Sequence, residues 1–303
     1  MISLKNISKS FHGGSLKALS GITLEVKSGG LFGLIGPDGA GKTTLFRILT
    51  TLMLPDSGDA FIKGLDIKKD VAAIRSILGY MPGRFSLYQD LTVDENLRFF
   101  ATLFGTSINE NYQQIKEIYI QLEPFKNRRA GKLSGGMKQK LALCCALIHR
   151  PEVLILDEPT TGVDAVSRKE FWEMLARLKA DGITILVSTP YMDEATRCDT
   201  IALIDKGAIL SIDTPGNIVS KYPRPLYALK AKNLYRLQED LRLHPNIYSC
   251  FAFGEFLHIS FRNQEETSIP GITQWLEEKG HQQVVLKKQP PVIEDCFIDL
   301  LKH

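Results

Sequence analysis

The sequence has no apolar run close to the ~20 residues that a membrane-spanning helix needs, so no bilayer-crossing segment is expected in it. Its opening, MISLKNISKSF, lacks the apolar core of a secretion signal. Both absences point to the cytosol, and any link to a membrane then has to run through a partner. Neither sign of charge prevails. There are 37 Lys and Arg against 34 Asp and Glu, a formal net charge of +3, with the signs interspersed. That balance does not argue for nucleic acid, and no nucleic-acid partner is expected. Cysteine is scarce. Cys144, Cys145, Cys198, Cys250 and Cys296 are odd in number and form no CxxC pair. Reduced thiols are therefore expected, and a cysteine metal site is not. Internal repeats and low-complexity tracts are also missing.

What remains is an ordinary globular composition, 44% hydrophobic and 23% charged over 303 residues. That length suits one large domain with a smaller one. Through residue 219 short β-branched runs alternate with helical segments, the pattern of an α/β domain. LFGLI (31–35), ILGYM (77–81), VLILD (153–157) and ITILVS (183–188) read as strands of a parallel sheet covered on both faces. A helical block is expected over about 84–150, with 3.6-residue periodicity in VDENLRFFATLFG and YQQIKEIYIQL. Two prolines in SKYPRP mark 220–225 as a linker. Beyond it, residues 226–303 read strand–helix–strand–strand–helix–strand with a last helix, PVIEDCFIDLL. That order suggests a small α+β domain of ferredoxin-like type.

Residues 36–43, GPDGAGKT, match GxxxxGK[ST] in full, between an apolar strand and the helical TLFRILTTLM. The candidates to cradle phosphate are Gly36, Pro37, Asp38, Gly39, Ala40, Gly41, Lys42, Thr43 and Thr44. The glycines let the backbone wrap an anion, and the helix N-terminus faces it. Lys42 supplies a point charge to the outer phosphates, and the Thr43 hydroxyl is placed to ligate Mg²⁺. VLILDEP then sets two carboxylates at the C-terminal end of a strand, where open α/β sheets bind ligands. Asp157 is the second candidate for Mg²⁺. Glu158 is the candidate to polarise an attacking water.

Between these motifs lies LSGGM, Leu133, Ser134, Gly135, Gly136 and Met137, opening a strongly apolar helix. Alone it reads as a capping turn. GPDGAGKT, LSGGM and LILDEP in this order resemble the ATP-binding cassette (ABC) ATPases. The resemblance implies a P-loop NTPase fold, a mixed sheet core plus a helical subdomain, with ATP and Mg²⁺ as ligands. It implies two cassettes paired head to tail, each ATP held on the GPDGAGKT loop of one and closed by the LSGG helix of the other. It assigns Phe11, 25 positions before Gly36, to stacking on adenine, against a reading as a core phenylalanine. It assigns Asp164 to the loop joining the two sites, which is compatible with a helix N-cap. Met137 replaces the family's usual glutamine. RFSLYQDLTVDENLRFFATLFG and VIEDCFIDLL are similar to the ATPases of type-2 exporters, the multidrug and polysaccharide group. There the partner is an integral membrane permease, which the helical block would face, and the ATPase lies peripherally on the inner face of the cell membrane.

Two positions depart from the family. Its members carry a glutamine after the strand ending in YMP, where this sequence has Gly83; Gln89 lies six residues on. They also carry a histidine after ILVST, where this sequence has Pro190, a residue with no side-chain donor and no N–H. The expected geometry puts Ser188 or Thr189 at a helix cap and Pro190 at its first position. Thr189 and Tyr191 are the local candidates for a substitute phosphate contact, and no histidine among 12, 149, 244, 258, 281 and 303 is near in sequence. Both gaps fall on the site of Lys42, Asp157 and Glu158. The expectation is a subunit that binds ATP well and hydrolyses it slowly at its own site, with a second cassette identical or different. The alternative is a regulatory or non-transport cassette acting in the cytosol. Ribosome-acting members carry two cassettes, and chromosome-structuring members need a long coiled coil that residues 44–132 cannot supply.

Overall fold

The computed structural model describes residues 1–84, 86–262 and 268–302. Phe85, within RFSLYQD, and His303 lie outside the described residues. The chain divides into two compact units, Met1–Gly216 and Asn217–His303.

The first unit begins with β1 (Ile2–Phe11), β2 (Leu16–Val26) and β3 (Leu31–Ile35), followed by α1 (Lys42–Leu49). Next come β4 (Ser57–Ile62), β5 (Leu65–Asp66), α2 (Val71–Ile77) and β6 (Leu78–Met81). The helical block holds α3 (Val93–Leu103), α4 (Ile108–Tyr119) and α5 (Gly135–Leu147). β7 (Val153–Asp157), α6 (Ala165–Ala180), β8 (Thr184–Thr189), β9 (Thr200–Asp205) and β10 (Ala208–Asp213) complete the unit.

Two sheets form. β2-β1-β4-β5 is antiparallel, and β10-β9-β3-β8-β7-β6 is parallel except for β10. Every residue of β3, β7 and β8 is buried, which is why their sequences are nearly unbroken apolar runs. The parallel register sets Ile35 beside Thr189 and Asp157 beside Ser188. The segments leaving β3, β7 and β8 therefore emerge side by side. Leu45, Phe46, Ile48 and Leu49 of α1 pack in one core with Ile2, Leu4 and Ile7 of β1 and with Leu34 and Ile155.

The helices of the block start on strong local signals. Thr92 with Glu95, and Ser107 with Glu110, make reciprocal capping boxes. The fully buried Asn96 side chain accepts from the Tyr88 N–H and donates to the Tyr88 and Thr92 carbonyls, tying the 88–92 turn to α3.

The division between units falls within α7 (Pro215–Ser220). β11 (Leu226–Lys230), α8 (Leu234–Leu243), β12 (Ile247–Phe253), β13 (Phe256–Phe261), α9 (Ser268–Glu278), β14 (Val285–Gln289) and α10 (Ile293–Leu300) follow. The sheet order is β12-β13-β11-β14, antiparallel throughout. Residues 220–225, read as a linker, belong to this unit. Ile218 is buried, its carbonyl receives the Cys296 thiol, and Arg224 lies 3.8 Å from Asp299 of α10. Among the described residues no helix is long and apolar enough to cross a membrane, and all five cysteines are free and buried.

Candidate functional site

The loop between β3 and α1 is shaped by close packing. A Cβ on Gly36 would stand 2.1 Å from the Ile204 carbonyl oxygen, and one on Gly41, at φ +103°, would stand 2.5 Å from the Ala18 carbonyl oxygen. Only glycine fits either place. Ala40 is buried and its carbonyl accepts from the Gly207 N–H, while Asp38 and Gly39 stand at the exposed tip. Thr43 and Thr44 lie half-buried in the first turn of α1, whose leading N–H groups have no partner within the helix. Lys42 folds back along the loop. Its ammonium donates to the Gly36 carbonyl at 2.7 Å and the Pro37 carbonyl at 3.0 Å, and it lies 3.0 Å from Glu158 Oε1. The structure thus brings the loop lysine and the Glu158 carboxylate together, although they lie 116 positions apart in sequence.

Asp157 and Glu158 follow from the register of β7 on β8. The Ser188 hydroxyl donates to Asp157 Oδ1 at 2.6 Å and accepts from the Glu158 N–H at 3.0 Å. The same N–H reaches the Ser188 carbonyl at 3.1 Å. Asp157 is 1% exposed, and Glu158 has φ +48°, a left-handed conformation rare for a residue with a side chain. Burial and the Asp157 charge push the neighbouring Tyr80 hydroxyl up to about 12.

Ser134 caps α5, its hydroxyl accepting from the Met137 N–H at 3.3 Å. Leu133 is buried, Gly135 is exposed, and Gly136 touches α6, where an added Cβ would meet the Ser167 hydroxyl at 2.5 Å. Asp164 is the N-cap of α6 and accepts from the Val166 and Ser167 N–H groups. Those bonds, from Ser167 first, hold its carboxyl below the usual range. The LSGGM turn and the Asp164 turn are therefore neighbours within one chain. Phe11 ends β1 half-buried, under the Lys9 ammonium at 6.0 Å, and so is not a core phenylalanine.

Comparison with known proteins gives the family. The ABC transporter family model matches residues 19–161. Across 99% of the chain, identity is 33% to the Nod factor export ATP-binding protein I of Rhizobium sp. (strain N33), of which 96% is covered. The chain belongs to the ABC transporter family. Over the same share of its length the cassette is 38% identical to the probable multidrug ABC transporter ATP-binding protein YbhF of Escherichia coli (strain K12). It spans about half of that protein, 52%. Among solved structures, the dimeric bacterial ABC transporter cassette MJ0796 superposes with a TM-score of 0.64 at 27% identity, over 71% of this chain and 98% of that one.

Gly83 and Pro190 stand where the resemblance leads one to expect a glutamine and a histidine. A Cβ on Gly83 would lie 3.1 Å from the Asp157 carbonyl and 3.6 Å from Asp157 Oδ2, so a side chain at 83 would start beside Asp157. Gln89 does not replace it. Its carbonyl accepts from the Gly131 N–H and its side chain lies against Gly131. Pro190 is not the first residue of a helix, contrary to the sequence expectation. The following 3-10 helix is Met192–Arg197, with Tyr191 before it. The Thr189 hydroxyl accepts from the Tyr191 N–H at 3.0 Å and donates to Glu194, so the turn closes ahead of the helix. Ser188 caps nothing here because it holds Asp157 and Glu158. Sequence reading missed the roles of Ser188, Thr160, Arg168 and Glu194. Their signal is three-dimensional, arising where β7, β8 and α6 meet.

Proposed function

We propose that this chain is the ATP-binding and ATP-hydrolysing subunit of an ABC exporter. On this reading, ATP-driven pairing with a second cassette drives a separate integral membrane permease. The observation that carries it is the meeting of Lys42 of the GPDGAGKT loop with Glu158, next in sequence to the buried Asp157 at the end of β7. The relatives support the exporter class by their names, which include a multidrug transporter, Nod factor export and linearmycin resistance. Residues 1–219 form the ATPase domain on this reading, and the chain sits on the inner face of the cell membrane through its permease.

The loop N–H groups and the start of α1 bind the phosphates, and Phe11 stacks on the adenine. Lys42 turns from Glu158 to the outer phosphates, which frees the Glu158 carboxylate to polarise the attacking water. Thr43 and Asp157 would hold Mg²⁺, which when bound neutralises phosphate charge. Asp157 fits that part, being buried and hydrogen-bonded by a serine hydroxyl rather than by a basic side chain. Leu133, Ser134, Gly135, Gly136 and Met137 complete the site of the partner cassette, and Asp164 joins the two sites. With Gly83 and Pro190 two side chains are missing from this chain's own site. It holds Mg-ATP and turns it over slowly, while its LSGG turn serves a more active site opposite.

Single-turnover hydrolysis of ATP by the isolated chain, then with permease and partner cassette, tests the reading. Slow turnover alone, with acceleration only in the complex, is expected. Brisk hydrolysis by the isolated chain that Glu158→Gln abolishes would overturn the slow-site reading. Failure to bind any permease would overturn the exporter.

A further inference from the structure

Glu194 lies four residues beyond Pro190 and is 3% exposed. A carboxylate so buried has to be held by partners. Its Oε2 receives the Thr160 hydroxyl at 3.1 Å and the Thr189 hydroxyl at 2.5 Å. Its Oε1 has no hydrogen-bond partner, and Arg168 Nε stands 3.9 Å from it. Each contact belongs to a different part of the site. Thr160 is two residues past Glu158. The Thr189 carbonyl accepts from the N–H of Gly36, the first residue of the phosphate loop, at 3.3 Å. Arg168 lies in α6, where its N–H donates to the Asp164 carbonyl at 2.9 Å. Its guanidinium lies 5.3 Å over the Tyr191 ring and 3.4 Å from Asp193, across the segment that carries Pro190.

Glu158 needs such support. A left-handed φ at a residue with a side chain is uphill, and persists only where the surroundings fix it. On one side its N–H is held by Ser188. On the other the turn runs Glu158–Pro159–Thr160–Thr161, and the Thr161 N–H donates to the Glu158 carbonyl at 3.2 Å. Besides Glu158, whose carboxylate meets Lys42, Thr160 is the residue of that turn whose side chain is anchored from outside it, by Glu194.

We propose that Glu194 is a positioning residue for hydrolysis. It holds the Glu158 turn in its left-handed conformation and ties that turn to the Pro190 segment and to α6. The inference rests on the hydrolytic role proposed above for Glu158. In a site without the glutamine and histidine side chains, the placement of Glu158 has fewer groups to rely on, so Glu194 carries more of it.

The test is kcat, KM for ATP and the thermal midpoint of the full chain with its permease. The variants are Glu194→Ala, Glu194→Gln, Thr160→Val and Thr160→Ser, with Glu158→Gln run in parallel. Misplacing a catalytic group by an ångström costs up to ~10²-fold in rate. Glu194→Ala and Thr160→Val should therefore lower kcat about 10- to 100-fold while KM stays within about twofold. Thr160→Ser keeps the hydroxyl and should restore the rate. Glu194→Gln keeps an acceptor but loses the charge facing Arg168, and should fall between. Unchanged kcat in Thr160→Val overturns the proposal, as does equal damage from Thr160→Ser and Thr160→Val. A lower thermal midpoint with intact kcat also overturns it, since that is what a purely structural residue would give. Should Glu194→Ala fail to fold, the two Thr160 variants decide. If Glu158→Gln leaves hydrolysis intact, the hydrolytic reading itself is wrong. If Glu158→Gln abolishes hydrolysis and Thr160→Val does not slow it, the role of Glu194 alone is lost.

Discussion

On the proposed reading Gly83 and Pro190 replace a glutamine and a histidine, and the space around the two positions differs. At Gly83 a new Cβ would press on the Asp157 carbonyl at 3.1 Å, a contact that a shift of a few tenths of an ångström relieves. Its φ does not lie in the left-handed range, so a glutamine there meets no backbone strain. Pro190 is half-buried on a segment whose turn is closed by Thr189 and Tyr191 rather than by the proline itself. A histidine there keeps that turn. Restoring both groups by Gly83→Gln with Pro190→His should raise the single-turnover rate of the isolated chain. One transition-state contact is commonly worth ~10²–10³ in rate. The two gains need not multiply, because both groups would act on the same water. An unchanged rate in the double variant would mean that Glu158 sets the rate without them.

At the scale of elements, the parts that the sequence announces are those whose local signal and tertiary role coincide. β3, β7 and β8 are buried on both faces, and their apolar runs say so directly. α3 and α4 carry capping boxes that are visible as Thr-x-x-Glu and Ser-x-x-Glu. The antiparallel sheet of β1, β2, β4 and β5 was not legible in the same way. β1 pairs with β2 through register shifts between Leu4 and Ile7, Ile7 and Lys9, and Lys9 and Ser10, which break the two-residue alternation. The site shows the same split. GPDGAGKT and DEP are contiguous and readable, whereas Ser188, Thr160 and Glu194 acquire their roles only where separate strands meet. Asn96 tests how far such contacts hold an element together. Replacing it by alanine strands the Tyr88 N–H and two carbonyls that its side chain satisfies. Unsatisfied buried groups cost about 1–3 kcal/mol each, less whatever water recovers. Urea unfolding of Asn96→Ala should show a loss of about 1–3 kcal/mol, and Gln89 and its turn should become more open to proteolysis.

At the scale of the whole molecule, the exporter reading requires the ATP edge to be linked to a membrane partner, and the first unit presents a surface suited to that. A cleft of about 540 Å³ lies between β6 and the helical block, lined by Leu78, Met81, Leu87, Phe100, Phe104 and Ala146 among others. Of the residues that line it, Leu103 is 64% exposed and Leu52 59%. Exposed apolar groups gathered around one concavity mark an interaction site more often than chance scatter does. The cleft also borders Pro82, the residue before Gly83, so whatever fills it lies next to the segment that passes Asp157. A permease helix seated there would press on that segment through backbone packing, which needs no side chain at 83. Leu103→Glu places a charge at the rim, on a side chain already mostly in water, so folding and the isolated chain's hydrolysis should change little. Co-purification with the permease should fall sharply, and with it the acceleration of hydrolysis that the complex provides. Retention of both in Leu103→Glu would place the permease contact elsewhere on the cassette.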